Sequence, residues 1–173
     1  MLVDMQYDGQ QLDWKGIGVF KATSGLPGLQ NPSDQCKPDE GPLPEGLYTL
    51  YLADRGMAVD DGTGICQLRP SVGIQTIPRG AKAGDCEPYW AQWGSNRARL
   101  EPADIATRSR CKPTVRGGFY LHDSTKGYTH GCIEVEGRIF PMLRDHHKVT
   151  KVKTLTLKVA YVPNRETNGG TKV

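Results

Sequence analysis

The chain has no apolar run approaching the ~18 residues that a membrane-spanning helix needs, so no membrane span is expected. It has no block of like charge. Its 22 Lys and Arg and 19 Asp and Glu are scattered over 173 residues and leave a net charge of +3, which argues against a nucleic-acid partner. No C-x-x-C pair occurs among the five cysteines, which argues against a zinc ribbon or a thioredoxin-type site. Hydrophobic residues reach only 37 % and aromatics 8 %, little for a helical bundle. The first fourteen residues carry Asp4, Asp8 and Asp13 and no basic stretch, so they are not expected to serve as a cleaved secretory signal.

What is abundant is turn-forming residues: 21 Gly and 12 Pro. Together with the low apolar content they predict a mainly β, α+β domain with short helices and long loops. Alternation predicts strands over 14–23, 47–53, 72–77, 117–122 and 152–162, with shorter ones at 65–68 and 132–135. Helical spacing predicts helices over 102–108, with Glu101 near the N-terminus, and over 139–147, with Pro141 in the first turn. Tyr89, Trp90 and Trp93 form an aromatic cluster. No repeat or linker divides the chain, so residues 1–163 are expected to form one domain. Residues 164–173, polar and containing Gly169-Gly170, are expected to be a flexible tail.

Four cysteines, Cys36, Cys66, Cys86 and Cys111, lie in or beside Gly/Pro/Asp-rich loops. Cysteines in polar loops are expected to be bridged, and two disulfides would hold segments that have little core of their own. The spacing does not choose among the possible connectivities. Bridged loops imply an oxidising working compartment such as a periplasm.

The fifth, Cys132, carries the chemistry. Phe119-Tyr120-Leu121-His122-Asp123-Ser124 is followed by Thr129-His130-Gly131-Cys132-Ile133-Glu134, which puts an imidazole and a thiol ten residues apart, each beside a predicted strand. A thiol attacks as thiolate, and a neighbouring imidazole is the usual means of forming one. His122 would take the thiol proton and return it to a leaving amine. Gly131 leaves room for a substrate carbonyl, and the amides of Gly131 and Cys132 would face the developing oxyanion. The backbone carbonyl of Asp123, its carboxylate, or the Ser124 hydroxyl would hold the imidazole.

These segments resemble a known family. Thr129-His130-Gly131-Cys132-Ile133, with a histidine at the end of the preceding strand, is similar to the S/T-H-G-C signature of L,D-transpeptidases (YkuD-type peptidoglycan enzymes). It is more similar still to the compact L,D-transpeptidase-like effectors that type VI secretion systems deliver into rival bacteria. The likeness extends to Phe20-Lys21-Ala22-Thr23-Ser24-Gly25, to Gly41-Pro42-Leu43-Pro44-Glu45-Gly46-Leu47-Tyr48-Thr49 and to Arg116-Gly117-Gly118-Phe119.

The resemblance implies a compact β-sandwich or barrel-like core and a catalytic domain that uses no metal or cofactor. Cys132 would be the nucleophile, His122 its base, and Asp123 the source of the orienting carbonyl. His130 and Gly131 would shape the oxyanion and acyl pocket, with Thr129, Ser124 and Arg116 beside them. The substrate would be the peptidoglycan stem tetrapeptide, attacked between the L-centre of its third residue and the D-alanine in fourth place. Water as acceptor gives an L,D-carboxypeptidase, and a D-amino acid or a second stem gives L,D-transpeptidation. The resemblance further implies an antibacterial toxin that needs no signal peptide, partners in a secretion apparatus and a cognate immunity protein, and action in a target cell's periplasm. Glu134 stands where the larger family often carries Arg, so carboxylate recognition would pass to Arg116, Arg138 or Lys126.

Three rivals remain. An NlpC- or CHAP-type amidase would use Cys132 with a later histidine, His146 or His147. A zinc site would combine His122, His130 and Cys132, although H-x7-H-x-C is not an established ligand spacing. A non-enzymatic cell-wall-binding module would present Trp90 and Trp93. Asp60-Asp61-Gly62-Thr63-Gly64 lacks the twelve-residue pattern of a calcium loop.

Overall fold

Met5, Tyr7, Leu12 and Trp14 are buried, and the residues between them within each strand are half-buried or exposed. This period-two pattern turns one side of each strand to a core and the other to solvent. In the computed structural model, which describes residues 2–86, 88–112, 114 and 116–173, these residues form β1 (Met5–Tyr7) and β2 (Gln11–Trp14). The chain continues through β3 (Gly18–Thr23), β4 (Gly46–Tyr51), β5 (Asp54–Met57), β6 (Ile74–Thr76), α1 (Pro88–Trp93), β7 (Asn96–Pro102) and α2 (Ile105–Arg108). It ends in β8 (Phe119–His122), β9 (Ile133–Val135), α3 (Ile139–Thr150) and β10 (Thr154–Val159).

The fold is mainly β with short helices. Strands in the order β4-β10-β1-β2-β3-β9-β8-β7 close into a barrel because β7 also pairs with β4. Strand β7 manages three neighbours by dividing its length. Asn96–Ala98 pairs with β6, Leu100–Pro102 pairs with β4, and Arg97–Leu100 pairs with β8 on the other side. Strands β6 and β5 therefore branch off the barrel as a flap. The interior is filled by Tyr7, Leu12, Phe20, Tyr48, Leu50, Leu121, Ile133 and Leu157 with their neighbours. Helix α3 buries Ile139, Phe140 and Leu143 against that core.

Several expectations change in detail. The strand predicted over 14–23 breaks at residues 15–17, where Ile17 N–H turns back onto Trp14 O at 2.9 Å, so it contributes to both arms of a hairpin. Glu101 belongs to β7, not to a helix start, and α2 is capped instead by Asp104, whose carboxylate accepts from Thr107 N–H at 2.8 Å. Residues 65–68 form no strand, only an isolated bridge between Asp60 and Leu68. Residues 164–173 are integrated into the body. Thr167 donates to Ser24 O at 2.6 Å, its own N–H reaches Gln30 O at 2.8 Å, and Thr167 and Thr171 are buried. Gly169 lies so close to the backbone of Gln10 and Ala22 that a Cβ there would collide with both. A polar tail with no apolar anchor can be held by hydrogen bonds to distant backbone, which composition alone does not reveal.

Two disulfides form, Cys36–Cys111 and Cys66–Cys86, at sequence separations of 75 and 20. The first ties the segment after β3 to the segment before β8. The second ties the loop after β5 to the approach to α1. Opening the longer loop by Cys36→Ser with Cys111→Ser is expected to cost about 4 kcal/mol, read as a lower midpoint in chemical denaturation of the oxidised protein.

Candidate active site

The alternation that builds the core also assembles the site. In β8, Phe119 and Leu121 face the interior, so Tyr120 and His122 face outward. Strand β9 runs parallel to β8 with Leu121 opposite Ile133 and His122 opposite Glu134. Ile133 and Val135 point into the core, which sends Cys132 and Glu134 to the same outer face as Tyr120 and His122. On the other flank Arg97 is opposite His122 and Arg99 opposite Tyr120. The thiol and the imidazole thus stand on adjacent strands, on one face, one step apart along the diagonal.

Cys132 is half-buried and is the free cysteine of the chain. Its Sγ accepts from Tyr120 N–H at 3.3 Å, taking the place a ladder carbonyl would hold. Among the described residues no hydrogen bond joins Sγ to the imidazole. Catalytic pairs commonly close to bonding distance only with substrate in place. The turn before Cys132 is fixed by Thr129, whose Oγ1 accepts from Gly25 N–H and Gly131 N–H, each at 3.1 Å, and donates to Cys132 O at 2.6 Å. Ser24 Oγ donates to the same carbonyl at 2.7 Å. The Gly131 amide is therefore committed to Thr129 and does not face an oxyanion as expected. The Cys132 amide, without a partner among the described residues, is left as the backbone donor. Gly131 is required for a different reason. Its φ is +122°, and a Cβ there would strike the Arg116 guanidinium.

His122 is 2 % exposed. Trp93 packs edge-on against its ring with centroids 5.4 Å apart, and Arg97 lies over Trp93 and over Tyr120 at 4.5 and 4.2 Å. His122 Nδ1 is 3.1 Å from Ser124 Oγ, and Ser124 Oγ donates a short hydrogen bond to Glu134. A hydroxyl has one proton. With that proton on Glu134, Ser124 accepts from Nδ1–H, which leaves Nε2 as the basic nitrogen. Ser124, one of the three orienting groups considered from the sequence, thus holds the imidazole. Asp123 does not. Its carboxylate accepts from Ser95 N–H (2.7 Å), Asn96 N–H (2.8 Å) and Asn96 Nδ2 (3.0 Å) and secures the start of β7. Glu134, fully buried, also accepts from Lys126 N–H at 3.1 Å, Gly127 N–H at 2.8 Å and Thr171 Oγ1 at 2.5 Å.

Burial pushes the His122 pKa down to about 3, with the charges of Lys126 and Arg97 adding to the effect. The ring is neutral at any physiological pH, as a proton acceptor must be. Burial also raises the Cys132 thiol above its ordinary value, against the pull of the Tyr120 amide and of Arg97, Lys126 and Arg116. The resting site is a neutral thiol beside a neutral imidazole, not a preformed thiolate–imidazolium pair.

The sulfur opens into a cleft of about 480 Å³. The cleft is lined by Pro38, Asp39, Gln67, Trp93, His130 and the segment from Arg116 to Phe119, with His130 Nδ1 3.1 Å from Asp39 O. Both disulfides adjoin this lining: Cys36 precedes Pro38 by two residues and Cys66 adjoins Gln67. Arg116 is buried and donates to Gln35 O (2.6 Å), Pro42 O (2.7 Å) and Gly41 O (3.1 Å). It forms no salt bridge with a carboxylate among the described residues; backbone carbonyls hold it, and Asp39, which lines the same cleft, acts on its charge through space. Arg138 is engaged by Glu136 and Val19 O, and Lys126 Nζ lies over the Tyr128 ring.

No protein-family model matches this chain, and no curated protein matches it. A solved structure from Bdellovibrio bacteriovorus, Bd1075, is similar over 90 % of this chain at 14 % identity, with a TM-score of 0.46. The chain spans 46 % of that protein's length. A likeness this distant assigns no role to any residue here.

Among the described residues the histidine arrangements of the amidase and zinc rivals are not brought together. His146 packs against Trp14 at 5.3 Å between ring centroids, and His147 Nδ1 is 2.7 Å from Val152 O. Among the described residues no three His, Cys, Asp or Glu side chains converge to hold a metal ion. Tyr89 Oη makes a short hydrogen bond to Asp60, and the side chain of Trp90 lies outside the described residues. Sequence reasoning missed Arg97, Gln67 and the functional placement of Glu134. The alternating Arg97-Ala98-Arg99-Leu100-Glu101 is the signal that could have exposed β7, and Glu134, two residues after Cys132, shares its face by strand period.

Proposed function

We propose that this protein is a cysteine enzyme of peptidoglycan, acting on stem tetrapeptides at the bond between the third residue and the terminal D-alanine. The observation that carries the reading is a half-buried thiol lining a cleft that the Arg116 guanidinium also lines, with a hydrogen-bonded His122–Ser124–Glu134 relay beside it. A free thiol with a base suits acyl transfer. A buried guanidinium that forms no salt bridge among the described residues suits a substrate that brings a carboxylate to it. The terminal D-alanine brings one, on the leaving side of the scissile bond.

In this mechanism Cys132 Sγ attacks the carbonyl carbon of the third residue as His122 Nε2 takes the thiol proton. Negative charge collects on the carbonyl oxygen, near the Cys132 amide. The C–N bond then breaks, the imidazolium returns the proton to the amine, and D-alanine leaves. The thioester is resolved by water, giving the tripeptide, or by the amine of a D-amino acid, giving exchange. His122 takes the proton of the incoming nucleophile in either case.

The two disulfides suit work in an oxidising periplasm. Together with the motif resemblance, they favour a secreted antibacterial effector with an immunity partner in its producer. Arg116→Lys keeps the charge but loses the fork. It is expected to raise KM for a tetrapeptide by about 10–100-fold, the worth of one or two hydrogen bonds to a charged group, with a smaller change in kcat.

The test is to incubate purified protein with tetrapeptide muropeptides, with and without a D-amino acid, and follow product masses. Loss of one alanine residue marks the carboxypeptidase, and a mass matching the added amino acid marks exchange. Unchanged tetrapeptide under both oxidising and reducing conditions would end this reading.

A further inference from the structure

The C-terminal segment reaches the machinery described above. Thr171 Oγ1 donates to Glu134 Oε1 at 2.5 Å, and Glu134 receives the Ser124 hydroxyl on its other oxygen. Thr171 Oγ1 is also 2.9 Å from Thr23 Oγ1, which accepts from Gly169 N–H at 3.0 Å. Each hydroxyl has one proton, so the directions are fixed by accounting. Gly169 N–H donates to Thr23, Thr171 gives its proton to Glu134, and Thr23 then donates to Thr171 at 2.9 Å in preference to Asn168 Oδ1 at 3.4 Å; from the opposite side His122 donates to Ser124 and Ser124 to Glu134. The carboxylate is the common terminus of both chains. Val173 N–H reaches Thr125 O at 3.1 Å, which keeps the segment over the loop between Ser124 and Glu134.

We propose that residues 167–173 are a positioning strap for the Cys132 site, with Thr171 as the positioning residue that sets the orientation of Glu134 and, through Ser124, of His122. This rests on the proposed reading of Cys132 and His122 as a reacting pair. The physical basis is satisfaction of a buried carboxylate. Glu134 has four donors: Ser124, Lys126 N–H, Gly127 N–H and Thr171. Three come from the loop that follows His122. Only Thr171 comes from outside it; it shares Oε1 with Gly127 N–H and ties the carboxylate to the C-terminal segment. Without that donor the carboxylate rotates toward its remaining partners, and the Ser124 hydroxyl loses its fixed direction. Packing also holds the strap down, through buried Thr167 and the close approach of Gly169 to Ala22.

Deleting the strap risks the fold, so the decisive variant is Thr171→Val, which keeps the shape and removes the hydroxyl, with Thr171→Ser as the conservative control. Two readouts are needed. One is kcat and KM on tetrapeptide. The other is the pH profile of Cys132 alkylation by iodoacetamide in the oxidised protein, where the other four cysteines are bridged. Thr171→Val is expected to lower kcat about tenfold, the loss of one hydrogen bond to a charged group, with KM unchanged. It is also expected to move the alkylation profile to higher pH. Thr171→Ser is expected to restore both. A Thr171→Val profile equal to wild type, or a Thr171→Ser protein as impaired as Thr171→Val, overturns the proposal. If wild type does not turn over tetrapeptides while the alkylation shift appears in Thr171→Val and not in Thr171→Ser, the substrate reading fails and the strap stands.

Discussion

Cys132→Ala is expected to reduce tetrapeptide turnover by about 10⁴-fold or more, the scale seen when a nucleophile that forms a covalent intermediate is removed. The folded protein should be little changed. Cys132 is half-buried in the lining of the cleft, and its sulfur accepts a hydrogen bond from Tyr120 N–H at 3.3 Å. Losing that bond costs about 1 kcal/mol, equivalent to about 2–4 °C in Tm for a domain of this size. A large loss of activity with a small change in Tm separates chemistry from unfolding. Full biological activity in Cys132→Ala would instead favour a wall-binding role that needs no nucleophile.

His122→Gln is expected to lower kcat by about 10²–10⁴-fold, the usual worth of a general base, and to alter two pH dependences. The first is activity. Burial holds the imidazole neutral down to about pH 3 and raises the thiol, so the neutral thiol and neutral imidazole that the mechanism uses persist across neutral pH, and wild-type turnover should be flat there. It should show no acid limb near pH 6.5. The second is stability. In the unfolded chain the imidazole takes a proton as pH falls through 6.5, while in the fold it does so only near 3. Above pH 6.5 the group is neutral in both states and its contribution is complete. Between 6.5 and about 3 the unfolded state binds the extra proton, and stability falls by up to about 1.4 kcal/mol per pH unit from this residue. His122→Gln should flatten that slope in denaturation measured between pH 7 and 4. An acid limb near 6.5 in the wild-type rate would show an imidazole far less buried than described.

Local periodicity makes much of this site legible before any fold is known. Gly117–His122 and Cys132–Val135 read as strands from alternation, and their parallel pairing puts residues 120, 122, 132 and 134 on one face by the period of two. The cysteines in polar loops are bridged as expected, but which pairs with which depends on the three-dimensional path, and sequence does not encode that locally. The orienting group goes to Ser124 because Asp123, pointing the other way along the strand end, finds the amides of Ser95 and Asn96. Strand β7 hides because charged Arg97 and Arg99 occupy its outer face, a pattern that reads as loop until Tyr120 and Trp93 are there to cover it. The tail hides for the same reason in reverse. Thr167 and Thr171 are buried by hydrogen bonds to Ser24 and Glu134, residues 143 and 37 positions away.

The most direct test of the central claim is intact-protein mass spectrometry after brief mixing with a tetrapeptide stem, followed by peptide mapping. An acyl-enzyme should appear at the mass of the protein plus the tripeptide acyl group, carried as a thioester on Cys132 and absent from Cys132→Ala. Turnover with Cys132 unmodified throughout, or an adduct mapped to any other residue, would contradict the account.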